Sequence, residues 1–127
     1  MMESKHKEQI CEENDRIASL KKFVPDAKSV DEMVDLFKIL SESNRFKIIH
    51  LLNNAPNLSV TEISKVVGMN QPAVSQHLKI LRMYGILKWQ KQGTQVRYAI
   101  SLGNIIETYK QVLKFLSTLV KNAVLFE

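Results

Sequence analysis

Residues 70–87, Asn-Gln-Pro-Ala-Val-Ser-Gln-His-Leu-Lys-Ile-Leu-Arg-Met-Tyr-Gly-Ile-Leu, constrain the chain more than any other stretch. Asn70 is a good helix cap, and Pro72 falls in the first turn, where a missing N–H costs nothing. Val74, Leu78 and Leu81 recur at i, i+4 and i+7 and form one apolar stripe. Away from that stripe lie Ala73, Gln76 and Lys79, with Gln71 and Ser75 at its border near the helix start. Gly85 supplies the left-handed residue on which such a helix ends. An ordinary amphipathic helix with a solvated polar face has the same pattern. The helix alone does not separate the two readings; its neighbours do.

On its N-terminal side, Ser59-Val60-Thr61-Glu62 reads as a capping box. It opens a short helix that buries Ile63, Val66 and Val67 before Gly68. Two helices joined through a glycine are a helix-turn-helix. Leu58 to Val60 is a candidate short strand. On the C-terminal side the period changes to two. Leu87 and Trp89 alternate with Lys88 and Gln90, and Val96, Tyr98 and Ile100 with Gln95, Arg97 and Ala99. Lys91-Gln92-Gly93-Thr94 lies between the runs. A basic hairpin directly after a helix-turn-helix is a wing. Lys91 and Arg97 are placed to meet phosphates, or Arg97 to enter a minor groove. Gln71, Ala73, Ser75, Gln76 and Lys79 are small or hydrogen-bonding residues suited to a major groove. A simple surface hairpin is the competing reading of the wing, and the adjacent helices weigh against it.

Charge placement agrees. The chain of 127 residues carries a net charge of +5. Between Glu62 and Glu107 there is no acidic residue, while Lys65, Lys79, Arg82, Lys88, Lys91 and Arg97 give +6. The remaining 12 basic and 13 acidic residues sum to −1. All the excess charge therefore sits in one segment, which points to a polyanionic partner. A solvated basic face would not usually exclude every acid over so long a run. The length suits one domain, or a domain with an arm, and the apolar fraction of 45% is that of a globular protein. No apolar run is long enough to span a membrane and the polar N-terminus shows no signal peptide, so a cytoplasmic protein is expected. Cys11 is the only cysteine, which excludes an intrachain disulfide and any zinc-finger spacing. It is an ordinary thiol, a subunit cross-link or an oxidant sensor.

Residues 1–28 form an arm rich in Lys and Glu. Ile10, Ile17, Leu20 and Val24 fit one helical stripe, so residues 7–23 are expected to be helical, with Pro25 ending the segment. Residues 29–103 form the DNA-binding domain. Ser29-Val30-Asp31-Glu32 reads as a capping box for a helix with Met33, Leu36, Phe37 and Leu40 inward. The next helix runs from about Asn44 to Asn53 and buries Phe46, Ile48, Ile49 and Leu52. Asn53 to Asn57 is a turn-rich linker. Residues 104–127 form a last long helix from about Asn104 to the end of the chain. Ile105, Tyr109, Val112, Leu116, Leu119, Ala123 and Phe126 follow heptad spacing, with Ile106, Leu113 and Val120 beside them. That apolar arc is too wide for one small domain to cover, so a two-fold homodimer through this helix is expected.

These residues resemble the ArsR–SmtB bacterial winged-helix repressors from about Val30 to Val120. Leu40 to Ile48 matches the family's "L-x-x-x-x-R-x-x-I" helix. Gln71-Pro72-Ala73-Val74-Ser75-Gln76-His77-Leu78-Lys79-Ile80-Leu81 is close to its recognition-helix signature, and Gly85-Ile86-Leu87 and Gly93 to Tyr98 look like the turn and wing that follow. The resemblance implies a dimeric repressor on a palindromic operator, with Gln71, Ser75, Gln76 and His77 facing DNA. His77 has a rival role as a cap or packing residue between helices. The chain also departs from the family. Where many members place a metal-binding Cys-Val-Cys, this sequence has Ser59, Val60 and Thr61, and hydroxyls make no thiolate site. From Leu102 onward there is no His, Asp or Cys for a zinc site on the last helix. His6 and His50 have no ligand spacing, and a sulfur-responsive Cys pair is missing. The expectation is a regulator without metal or other cofactor.

The expected fold is mainly α with a small β-hairpin, a winged helix-turn-helix dimerised through terminal helices. The expected function is sequence-specific regulation of transcription on double-stranded DNA, by repression. The competing class is a winged helix used as an architectural or protein-interaction module without operator specificity. An enzyme is the poorest reading, because the sequence shows no acid–base pair in a plausible site, no nucleophile with a base and no Gly-rich phosphate loop.

Overall fold

A computed structural model describes residues 2–103 and 105–124. The expected helix start at Asn104 and the apolar position Phe126 lie outside the described residues. The elements in order are α1 (Met2–Leu20), a 3-10 turn (Lys21–Phe23), α2 (Ala27–Leu40), α3 (Ser43–Asn54), β1 (Leu58–Ser59), α4 (Val60–Val67), α5 (Gln71–Met83), β2 (Leu87–Gln92), β3 (Gln95–Ile100) and α6 (Ile106–Val124). The chain divides into two compact units, Met1–Asp31 and Glu32–Glu127. No described helix is long and apolar enough to cross a membrane.

The first unit is helical, as its stripe indicates, but the helix starts earlier than residue 7. Ile10, Ile17 and Leu20 are all more than two-fifths exposed, and Cys11 is a free, exposed thiol. Val24 is extended ahead of Pro25. The expected capping box at Ser29 and Glu32 is not what opens α2. Asp26 does so: its carboxylate accepts the Ser29 N–H at 2.7 Å and its carbonyl accepts the Val30 N–H. A good cap directly after a proline captures the helix three residues early, and Ser29 becomes its third residue. The Ser29 N–H also holds the Asp26 carboxyl below its usual range.

In the second unit the core is built from Leu36, Ile39, Ile48, Leu52, Ile63, Val74, Leu78, Leu81, Ile86, Leu87 and Val112. Each such burial is worth roughly 1.5–3 kcal/mol. Three expected core residues face outward instead. Phe37 is 41%, Phe46 58% and Val66 65% exposed. On α2 the inward stripe runs through Leu36 and Ile39, which turns Phe37 out. On α3 it runs through Ile48 and Leu52, and Phe46 stacks on His50 with ring centroids 6.2 Å apart. On α4 Ile63 and Ser64 are buried and Val67 is half-buried, leaving Val66 outside. Arg45 ties the two helices together: its Nε donates to the Ile39 carbonyl at 2.8 Å, where α2 ends and its carbonyls need partners.

The sheet has three strands in the order β1-β3-β2, all antiparallel. The hairpin register pairs Gln92 with Gln95, leaving a two-residue loop of Gly93 and Thr94. Gly93 has φ 63°, the left-handed value that the first position of such a loop favours. The short strand at Leu58 and Ser59 pairs with Tyr98 and Arg97 of β3.

Candidate nucleic-acid interface

Local chemistry fixes the two central helices. Ser59 Oγ accepts the Glu62 N–H at 3.2 Å, and the Glu62 carboxylate accepts the Ser59 N–H at 3.1 Å. This is the reciprocal capping box read from the sequence. Gly68, with φ 72°, closes α4 in the left-handed region. Two residues later Asn70 caps α5, its Oδ1 accepting the Ala73 N–H at 2.9 Å. The far end of α5 closes through Gly85, φ 76°, where Gly85 N–H donates to the Arg82 carbonyl and Ile86 N–H to that of Leu81. That pair of bonds is the Schellman closure a glycine permits.

Val74, Leu78 and Leu81 are fully buried and fix the rotation of α5 about its own axis. Gln71, Ser75, Gln76 and Lys79 are exposed on the other side, and Ala73 is half-buried at its edge. The exposed residues follow one helical face, so four of the expected reading residues come together. Gln71 also donates from Nε2 to Thr61 Oγ1 at 3.2 Å, linking the start of α5 to the start of α4. Lys91 is exposed on the wing, as is Lys88. Arg82, in the last turn of α5, places its guanidinium 5.3 Å above the Trp89 ring and joins the helix to β2.

Two expected contact residues, His77 and Arg97, are engaged by neighbours within the chain. The His77 side chain is 17% exposed, with Nδ1 lying 3.8 Å from the Glu42 carboxylate. Nδ1 is buried and makes no hydrogen bond. Glu42 itself caps α3, accepting the Arg45 N–H at 2.8 Å, and that bond chiefly holds its carboxyl below the usual range. Arg97 is also engaged. Its Nη1 donates to Glu62 Oε1 at 3.0 Å and to the Asn57 carbonyl at 2.9 Å, and Nη2 donates to Gln95 Oε1 at 3.0 Å. Asn57 holds a left-handed φ of 63° while aiming that carbonyl, and its N–H donates to Tyr98. Glu62 is held below its usual range, first by the Ser59 hydrogen bonds and then by Arg97.

The residues expected at a dimer interface divide. Val112 is buried in its own chain's core, and Ile105 and Tyr109 pack against that core, with burial pushing the Tyr109 hydroxyl up. Leu116 and Leu119 are about half exposed, and Ala123 is exposed. Among the described residues, no group of three or more His, Cys, Asp or Glu side chains is arranged to hold a metal.

A capped helix presenting a polar face, a glycine turn from a shorter helix, and a basic hairpin behind it define a winged helix-turn-helix. The family model described as "Bacterial regulatory protein, arsR family" matches residues 42–88. The HTH-type transcriptional regulator YgaV of Escherichia coli is 30% identical over 87 residues, covering 66% of this chain and 88% of that protein. The arsenical resistance operon repressor of Escherichia coli is 38% identical over 68 residues, and the match spans 58% of its length. Among solved structures, reduced HlyU from Vibrio cholerae is 32% identical with a TM-score of 0.55, covering 72% of this chain and 92% of that one. The chain belongs to the ArsR family of bacterial regulatory proteins.

Sequence reasoning missed the partners of Arg97. Glu62 and Asn57 lie 35 and 40 residues away from it. Only the pairing of β1 with β3 brings them together, and no local signal announces that pairing.

Proposed function

We propose that the protein is a transcriptional repressor that binds operator DNA as a homodimer and works in the cytoplasm. The carrying observation is the exposed face of α5. Gln71, Ser75, Gln76 and Lys79 stand on one side of a helix whose opposite side is fully buried, inside a chain segment without acids. Gln71, Ser75 and Gln76 read base edges, each good contact being worth roughly 1–3 kcal/mol. Lys79 and the wing lysines meet phosphates and make affinity fall steeply with salt. Two copies joined through α6 set their α5 helices one turn of duplex apart, about 34 Å, and block transcription from a palindromic site.

The reading is of a regulator without the family's usual metal sites. In support, the Ser59 hydroxyl is occupied as a cap and the Thr61 hydroxyl accepts from Gln71. Selection of bound duplexes from a random pool, with and without zinc and oxidant, tests both parts. A palindromic consensus that zinc leaves unchanged is expected. A pool that shows no enrichment would remove the operator, and a consensus lost on adding zinc would remove the metal-blind reading.

A further inference from the structure

The hairpin leaves the sheet at one residue. Strand β1 is only two residues long and pairs with Tyr98 and Arg97. From Val96 outward, β3 has β2 on one side and no strand on the other. Arg97 is thus the last residue of β3 flanked on both sides, and everything beyond it is wing. Its guanidinium spans that boundary. One nitrogen reaches inward to the Asn57 carbonyl and to Glu62 at the start of α4, and the other reaches outward to Gln95 near the wing tip.

An isolated exposed ion pair contributes little. This one differs in its number of partners and in its geometry. Three acceptors converge on one planar group, Asn57 and Glu62 from distant segments and Gln95 from Arg97's own strand, and they hold direction as well as distance. One of them, Glu62, is itself fixed by the capping box. The start of α4 is also tied to the reading helix through Thr61 and Gln71. The same turn of α4 therefore anchors both DNA-facing elements.

We propose that Arg97 is a positioning residue rather than a phosphate contact: gripped by Glu62, Asn57 and Gln95, it sets the angle at which the wing presents Lys91 to the DNA backbone. The inference rests on the DNA-binding reading, and it makes a prediction of sign. Removing an acid near a polyanion ordinarily tightens binding, and a lysine ordinarily replaces an arginine at a simple phosphate contact. Here both changes weaken binding, because a point charge cannot hold three acceptors and a neutral amide grips the guanidinium less firmly.

The test measures affinity for a mixed-sequence duplex of about three helical turns at low salt, using the full chain. Glu62→Gln keeps the capping box, which accepts Gln at that position. Glu62→Gln and Arg97→Lys are each expected to weaken binding several-fold. In a Lys91→Ala background neither is expected to weaken it further, since their effect passes through Lys91. Wild-type affinity in Arg97→Lys, tighter binding in Glu62→Gln, or additivity with Lys91→Ala each overturns the inference and returns Arg97 to the phosphate-contact role. A wild-type chain that does not bind the duplex removes the DNA-binding reading, and this inference with it.

Discussion

Glu62 carries two duties at one carboxylate, and its protonation reports on both. It accepts the Ser59 N–H that begins α4 and the Arg97 N–H that secures the wing. Both bonds favour the ionised form and depress its pKa in the folded state. A depressed carboxylate contributes stability that is fully present above its unfolded value, near 4.5, and is lost as pH falls through the lower folded value. Urea unfolding below pH 4.5 should therefore weaken the wild type more steeply than Glu62→Gln. Asp26 and Glu42 are depressed too, so some acid sensitivity remains in the variant. Gln76 makes a different kind of demand. It is exposed on α5, where its amide is open to solvent. Gln76→Ala should narrow the ratio of operator to random-sequence affinity by roughly 1–3 kcal/mol while leaving salt dependence intact. Equal losses on both DNAs, measured by fluorescence anisotropy, would refute the base-reading role.

At the scale of elements, α5 depends on its two ends. Gly85 stands in the left-handed region, where a Cβ costs roughly 1–2 kcal/mol. Gly85→Ala should lower unfolding stability by about that amount, read from the urea midpoint, and should loosen the junction between α5 and β2. The helix-turn-helix was legible in the sequence because its signals are local. Asn70, Gly68, Gly85 and the Ser59–Glu62 pair each specify a helix end within a few residues. What was not legible depends on distant partners. The spacing of apolar residues on α2 allows Phe37 inward as readily as Ile39, and only the assembled core, which takes in Leu36 and Ile39, chooses Ile39. Ser29 and Glu32 had the form of a capping box, yet Asp26 offered an earlier cap. Gln71 was expected at base edges and Arg97 at phosphates or in a minor groove; their hydrogen bonds to Thr61 and Glu62 exist only once the sheet and the helix pair have assembled, and no local pattern announces them.

For the whole molecule, the decisive asymmetry is within α6. Its heptad spacing is continuous, but its first half covers the core of its own chain through Tyr109 and Val112. Beyond that point Leu113, Phe115, Leu116, Leu119 and Val120 remain 45–67% exposed. Leaving such side chains in water forgoes part of the roughly 1.5–3 kcal/mol each gains on burial. A second copy related by a two-fold axis offers the same apolar strip and covers both at once. In the dimer proposed above, the second half-site would become an intramolecular encounter, raising avidity by about 10²–10⁴ over one half-site. A Leu116→Glu, Leu119→Glu variant places four carboxylates in that shared seam while sparing Val112 and the core. It should sediment as a monomer and retain the wild-type helical circular dichroism. On a duplex carrying one half-site its affinity should match that of the wild type. On a palindromic duplex it should lose the avidity gain. A variant that stays dimeric would place the interface elsewhere on the chain, and one that turns monomeric yet keeps full affinity for the palindrome would separate dimerisation from operator binding.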